Sequence, residues 1–275
     1  MKKKALILMA FFLVATHLPA VYADQSQGWS GRIDLGVQWM RDKNHLEADD
    51  DNKRISSLNA DPKSLTEIVP AVNFQLAYGF ENVTIYAGIP YEDEPRPTLG
   101  IIYDMPRGPE IDFSLFYGMP QEVWEDPYLV GVDRRETDED NYGFALAVEL
   151  ADWQIKYELE SVNIDKDEAG KRLPDLKRNG MVHTIETGYE FEFPGGLELV
   201  PFVAFSLGDM DGKSQEFKGY GGGLDLIKSF NDVVLQLSAQ AEVNDYDGRH
   251  PVFEETREDK ILEVMAILTW LDPFG

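Results

Sequence analysis

The chain contains no cysteine. That excludes a disulfide framework, thiolate chemistry and a lipid-modified cysteine anchor. Long apolar runs are also missing beyond the first 23 residues. A membrane helix needs about 20 consecutive apolar residues, and every later run is broken by polar residues within a few positions. Histidine is scarce, with only His17, His45, His183 and His250. No two of them stand at metal-ligand spacing, and neither a G-x-S-x-G elbow nor a Walker loop is present. A membrane-embedded hydrolase needs a serine beside its histidine, and His183 has no obvious serine partner, so no enzyme and no cofactor are expected. Positive charge is in short supply too. There are 25 Lys and Arg against 50 Asp and Glu, for a net charge of −25. Such a surface repels nucleic acid and anionic partners unless divalent ions bridge them.

What is present begins with an export signal. Lys2, Lys3 and Lys4 precede the uncharged run 5–15, Leu18-Pro19 breaks it, and Val21-Tyr22-Ala23 supplies the small residues that a signal peptidase reads. Residues 1–23 are expected to be a signal peptide cleaved after Ala23. Residues 24–275 are expected to form one domain.

That domain reads in a single rhythm of period two. Ile33, Leu35, Val37 and Trp39 alternate with Arg32, Asp34, Gly36 and Gln38. Phe113, Leu115 and Tyr117 alternate with Asp112, Ser114 and Phe116, and Trp153, Ile155, Tyr157 and Leu159 alternate with Gln154, Lys156, Glu158 and Glu160. Period two marks strands with one apolar face. Twelve strands are predicted, at 30–41, 67–79, 83–91, 98–104, 110–124, 140–150, 152–163, 181–193, 197–207, 217–228, 232–245 and 259–270. Short turns (80–82, 105–109, 151, 194–196, 229–231) alternate with long polar loops (42–66, 92–97, 125–139, 164–180, 208–216, 246–258). Bacterial membrane barrels join their strands this way, with short periplasmic turns and long extracellular loops. A soluble sandwich shares the periodicity. However, Trp39, Trp153, Trp270, Tyr78, Tyr117, Tyr142, Tyr157, Tyr189 and Phe193 cluster toward strand ends on the apolar face, as in the aromatic girdles of a membrane barrel. The predicted fold is therefore an all-β antiparallel transmembrane barrel in a bacterial outer membrane, contacting its lipid and lipopolysaccharide.

The same register turns Asp34, Glu149, Glu158, Glu160, Glu186, Glu190, Glu192 and Glu242 toward the lumen, against Arg32, Lys156 and Lys218. Carboxylate rings favour cations in a pore, whereas carboxylates paired with basic residues would fill a closed barrel. The acidic run Asp49, Asp50 and Asp51, beside Glu47 and Asn52, offers hard oxygen ligands to Ca²⁺ but lacks the spacing of an EF-hand loop. A solvated loop is the plainer expectation there, and no metal is expected elsewhere.

Three loop segments carry a family resemblance. They are Asp51-Asn52-Lys53-Arg54-Ile55-Ser56-Ser57-Leu58-Asn59; Glu122-Val123-Trp124-Glu125-Asp126-Pro127-Tyr128-Leu129 with Arg134-Arg135-Glu136-Thr137-Asp138; and Tyr246-Asp247, His250-Pro251-Val252-Phe253 and Thr256-Arg257-Glu258-Asp259. In order and spacing they resemble the Gram-negative outer-membrane barrels grouped as domain of unknown function 2860. The resemblance implies a barrel and assigns no activity or catalytic residue. Members of that family continue past the segment resembling Asp272-Pro273-Phe274-Gly275 with a further strand pair. A full-length form would then hold 14 strands, and a barrel of twelve would be left with an open edge.

Asp126, Arg134, Arg135, Arg257 and Asp259 are expected to meet at the barrel mouth, either as a charged constriction or as a knot of salt bridges sealing the loops. The function expected first is a pore for small hydrophilic or cationic solutes. The alternative is a non-conducting barrel that acts through its extracellular loops as a structural or surface interaction protein.

Overall fold

The structure, a computed structural model, describes residues 27–42, 48, 52–58, 65–89 and 96–271. The expected signal peptide and the run Asp49, Asp50 and Asp51 lie outside these residues. Thirteen strands form one antiparallel sheet: β1 (Gly28–Asp42), β2 (Leu65–Gly79), β3 (Val83–Ile89), β4 (Thr98–Asp104), β5 (Glu110–Trp124), β6 (Glu136–Leu150), β7 (Trp153–Ile164), β8 (Gly180–Tyr189), β9 (Phe191–Phe193), β10 (Leu197–Met210), β11 (Phe217–Phe230), β12 (Val233–Arg249) and β13 (Thr256–Leu271). β9 continues β8 past an interruption at Glu190, and both pair with β10. The barrel therefore has twelve walls. β13 pairs with β1 from Arg32↔Leu271 to Gln38↔Met265. The open edge expected for twelve strands does not form, because this ladder satisfies the backbone of both outer strands.

Wall direction follows the alternation. Phe113, Leu115, Ile155, Ile185, Val203, Phe205, Leu262 and Val264 are exposed on the outer surface. Their neighbours Ser114, Phe116, Glu186, Phe202, Ile261 and Glu263 are buried within. In water such an outside would be an apolar patch far beyond what a soluble monomer tolerates. In lipid it is solvated. Aromatic girdles border it. Trp29, Tyr78 and Phe80 stack edge to face at the base of β1 and β2. Trp153, Tyr189 and Phe191 repeat that arrangement at the base of β7 and β8. Trp270 is exposed at the end of β13, whereas the side chain of Trp39 lies outside the described residues.

The expected strands hold, with two differences. Several strands are longer than period two suggests. β6 begins at Glu136, and beyond a bulge at Gly118/Gln121 its Glu136–Glu139 stretch pairs with residues 121–124 of β5. A membrane crossing needs about 9–11 strand residues, so these extensions stand in water and need no apolar alternation. The second difference is Lys218. It points outward, with Asp247 at 2.8 Å, while Phe217 and Gly219 face in. The expected inward register of Lys218 is thus corrected. β11 points its odd-numbered residues inward, and an exposed ion pair above the bilayer keeps Lys218 solvated.

One inner-wall glycine is set by packing. Gly100 on β4 lies under the Tyr86 ring, where a Cβ would come within 2.2 Å of the ring carbon Cζ. The missing Cβ leaves room for the ring, whose hydroxyl donates to Asp112 at 2.9 and 3.0 Å from its two oxygens. Gly100→Val is expected to destabilise the refolded barrel by about 1–3 kcal/mol through overpacking, seen as a lower urea midpoint in micelles.

Candidate functional site

The site has two parts, an inner wall and an extracellular cap. The wall is arranged in tiers, rows of register-matched residues that follow the hydrogen-bonding direction around the tilted strands. One tier runs Lys156, Glu186, Ala204, Gly221, Glu242 and Ile261 across β7, β8, β10, β11, β12 and β13. The tier above runs Glu158, Thr184, Ser206, Gly219, Asn244 and Asp259.

Glu158 and Glu160 are buried and share one cation. Arg96 donates Nη1 to Glu158 at 3.0 Å and Nη2 to Glu160 at 3.4 Å. Its guanidinium lies over the Phe116 ring, 4.9 Å from the centroid. Lys156 reaches the other Glu158 oxygen at 3.3 Å. Arg96 precedes β4 in a loop, so no strand periodicity marks it and the sequence reading missed it.

Of the other wall candidates, Glu186 is buried and Glu242 half-buried, both facing in. Glu149 sits opposite Glu110 toward the periplasmic end. Arg32 is half-buried beside Gln75. Asp34 stands in register with Asn73 and Thr269, its own side chain lying outside the described residues. Glu192 is exposed at the periplasmic rim with Glu190 and Glu198 nearby, away from the Glu158–Glu160 pair. Asp112, Asp225 and Glu263 also face inward and were not singled out from sequence.

The cap is built from loops. Residues 165–179, between β7 and β8, fold into the short helix α1 (Glu168–Arg172) and a 3-10 turn at Pro174–Leu176. Asp167 caps α1 through the Gly170 N–H at 3.1 Å and also accepts from Arg178 at 2.9 Å. Leu176 and Ala169 pack with Tyr128 from the β5–β6 loop, and with Val252 and Phe253 from the β12–β13 loop. Around the twelve walls the β12–β13 loop lies opposite the β5–β6 loop and a third of the way round from the β7–β8 loop. The cap therefore crosses the mouth instead of lining one side.

The expected mouth residues divide into three groups. Arg134 is buried on the Trp124 ring at 4.5 Å and donates to the carbonyls of Pro127 (2.8 Å) and Asn52. Burial pulls its pKa down to about 10, which leaves it charged at neutral pH. Asp126 receives Arg172 at 2.9 Å, and Arg135, largely exposed, reaches Glu125 at 2.9 Å. Arg257 donates to both oxygens of Asp259, which also accepts from Tyr246 at 3.0 Å. The link between these groups is a contact that sequence reasoning missed, His250 to Tyr128 at 2.9 Å. Among the described residues no group of acids and histidines is arranged to hold a metal. His183 meets Tyr157 at 2.8 Å on the outer wall.

A closed, lipid-facing strand wall around a charged interior defines a membrane-spanning β-barrel. The chain matches the family described as protein of unknown function (DUF2860) over residues 28–275, and it belongs to that family. No curated protein matches it in sequence. Among solved structures it is similar to OmpT, an outer membrane protein of Vibrio cholerae (11% identity, 88% of this chain and 76% of that one, TM-score 0.45). It is also similar to the toluene transporter TodX of Pseudomonas putida (8% identity, 90% and 90%, TM-score 0.42). A third is the β domain of the Bordetella autotransporter BrkA (13% identity, 89% and 99%, TM-score 0.42).

Arg178 is buried and donates to the Trp124 carbonyl as well as to Asp167. Arg178→Ala should cost about 3 kcal/mol or more by stranding Asp167. Arg135→Ala should cost at most about 1 kcal/mol. Urea midpoints and loop cleavage by chymotrypsin report both. His250 Nδ1 accepts from the Val252 and Phe253 N–H groups, so Nε2 carries the proton and donates to Tyr128. Burial, helped by Arg257, pulls its pKa down to about 4. The unfolded histidine titrates near 6.5, so the unfolded state binds more protons between those values. The contribution of His250 to stability should be complete above pH about 6.5, fall as the pH drops to about 4, and change no further below. His250→Gln should flatten that part of the profile of urea midpoint against pH.

Proposed function

We propose that this protein is an outer-membrane pore for small hydrophilic solutes, exported through residues 1–23, with a preference for cations. The observation that carries this reading is the sign of the inner wall. Glu110, Asp112, Glu149, Glu186, Asp225, Glu242 and Glu263 face inward in addition to Glu158 and Glu160. The inward cations of these strands and of the β3–β4 loop among the described residues are Arg32, Arg96 and Lys156, together with Arg257, which is taken up by Asp259. A wall with surplus carboxylates lowers the energy of a cation and raises that of an anion in the same confined water. Lipid and lipopolysaccharide surround the outer face.

A second reading rests on the cap. Leu129, Val130 and Val132 are exposed at the tip of the β5–β6 loop, beside a cleft lined by Asp126, Asp133, Arg135 and Lys171. Loops on a rigid scaffold commonly carry binding function. A non-conducting barrel would use this surface to meet a partner.

Planar-bilayer recording of the refolded protein under a salt gradient separates the two. Discrete steps with a reversal potential displaced toward the cation equilibrium value are expected. Folded, heat-modifiable protein that never conducts would overturn the pore and favour the loop surface.

A further inference from the structure

The β12–β13 loop is built on one imidazole. Its turn is closed by the His250 N–H to the Glu255 carbonyl at 2.9 Å and by the Glu254 N–H to the His250 carbonyl at 2.7 Å. Inside that turn, Nδ1 of His250 accepts from the N–H groups of Val252 at 3.2 Å and Phe253 at 3.4 Å. Nε2 reaches out of the loop to the Tyr128 hydroxyl at 2.9 Å. The His250 and Tyr128 rings meet edge to face, 4.9 Å between centroids, and the Phe253 ring stands 6.0 Å from Tyr128. One side chain thus shapes its own turn with one nitrogen and grips the β5–β6 loop with the other.

That grip spans the mouth. Six of the twelve walls separate the two loops in either direction, so the contact lies on a diameter of the barrel. By contrast, the Asp247 N–H bonds sideways to the Glu216 carbonyl, between adjacent strand pairs. The charged and titratable groups around the contact come from every element packed on it. Asp126 and Tyr128 belong to the β5–β6 loop, Asp167 and Arg178 to the β7–β8 loop, and Tyr246, Arg257 and Asp259 to β12 and β13. The β1–β2 loop adds the apolar Leu58. Each carboxylate already holds a cation: Asp126 holds Arg172, Asp167 holds Arg178 and Asp259 holds Arg257. A proton on the buried Nδ1 would meet two N–H donors and the charge of Arg257.

We propose that the His250–Tyr128 contact is the latch of a lid over the extracellular mouth, and that proton uptake by His250 releases it. The proposal deepens the pore reading and rests on it for its role in transport. A protonated Nδ1 is a donor and no longer accepts from Val252 and Phe253. The turn then loses the group that shapes it, and Val252 and Phe253 leave the cluster around Tyr128 and Leu176. The closed lid holds the His250 pKa at about 4, and a solvated histidine titrates near 6.5. The open lid therefore binds the proton more tightly, and the ratio of open to closed lids rises by about a hundredfold between pH 7 and about pH 4.

Pulsed electron paramagnetic resonance on the refolded full-length protein, titrated between those pH values, tests this. The chain has no cysteine of its own, so spin labels are placed by Val130→Cys and Glu255→Cys, exposed positions on the two opposed loops. One short distance is expected at neutral pH, and a longer population should grow with acid. His250→Gln should remove that growth. Tyr128→Phe keeps the ring and loses the latch bond, so opening should move to higher pH by about 0.4–1 pH unit. This second variant carries the test should His250→Gln fail to fold, and heat modifiability confirms folding throughout. A wild-type distance that ignores acid, the same acid response in His250→Gln, or an unmoved midpoint in Tyr128→Phe would overturn the proposal. Conductance is recorded separately at both ends of the titration. A conducting protein whose loops stay together in acid refutes the lid alone. Loops that part in acid on a protein that never conducts refute the pore alone.

Discussion

Everything in this molecule depends on closing one hydrogen-bonded ladder. In a bilayer no water is available to an unpaired N–H or C=O, and each such group costs several kcal/mol. The β13–β1 pairing removes the last free edge. Once the sheet is closed, strand geometry sends alternate side chains to lipid and to the interior. The outer face must then be apolar, and the inner face is free to be polar. Leu115 and Ser114, or Ile185 and Glu186, are the two consequences of one backbone constraint.

Freedom to be polar does not make buried charge cheap. The interior meets that cost by sharing. Arg96 serves two glutamates and stacks on Phe116, and Lys156 takes the remaining Glu158 oxygen. At the mouth the same logic builds the cap. Arg134, Arg178 and Arg257 are all buried, and each spends its donors on carbonyls or on one carboxylate while two of them also stack on an aromatic ring. Guanidinium suits this role because its planar fork satisfies several acceptors at once and its face tolerates an aromatic ring. A charged interior and a tied cap are therefore two uses of one device at different heights in the barrel.

The barrel was legible because period two is a direct image of the strand in lipid. The strand count, the short and long connectors and the inward facing of Glu158, Glu160, Glu186 and Glu242 could be read from the alternation alone. Where the strands leave the bilayer the signal fades. Lys218 was turned the wrong way, and β6 begins earlier than its apolar residues suggest, because water accepts either face. Tertiary partners were less accessible still. Arg96, Arg178 and His250 lie in connectors, and their partners stand 11 to 122 residues away in sequence. The helix α1 is only five residues long, too short for a helical period to show. Of the family-like segments, Trp124, Asp126, Tyr128, Arg134 and His250 are buried in the cap.

The absence of cysteine makes the central claim, a lipid-facing wall around an aqueous charged interior, directly measurable. Single cysteines at Gln240, Ala241, Glu242 and Val243 of β12 would be challenged in proteoliposomes with a small charged thiol reagent. The account predicts that positions 240 and 242 react and that 241 and 243, facing acyl chains, are protected. Labelling without a two-residue period, or reaction at 241 and 243 in place of 240 and 242, would contradict it.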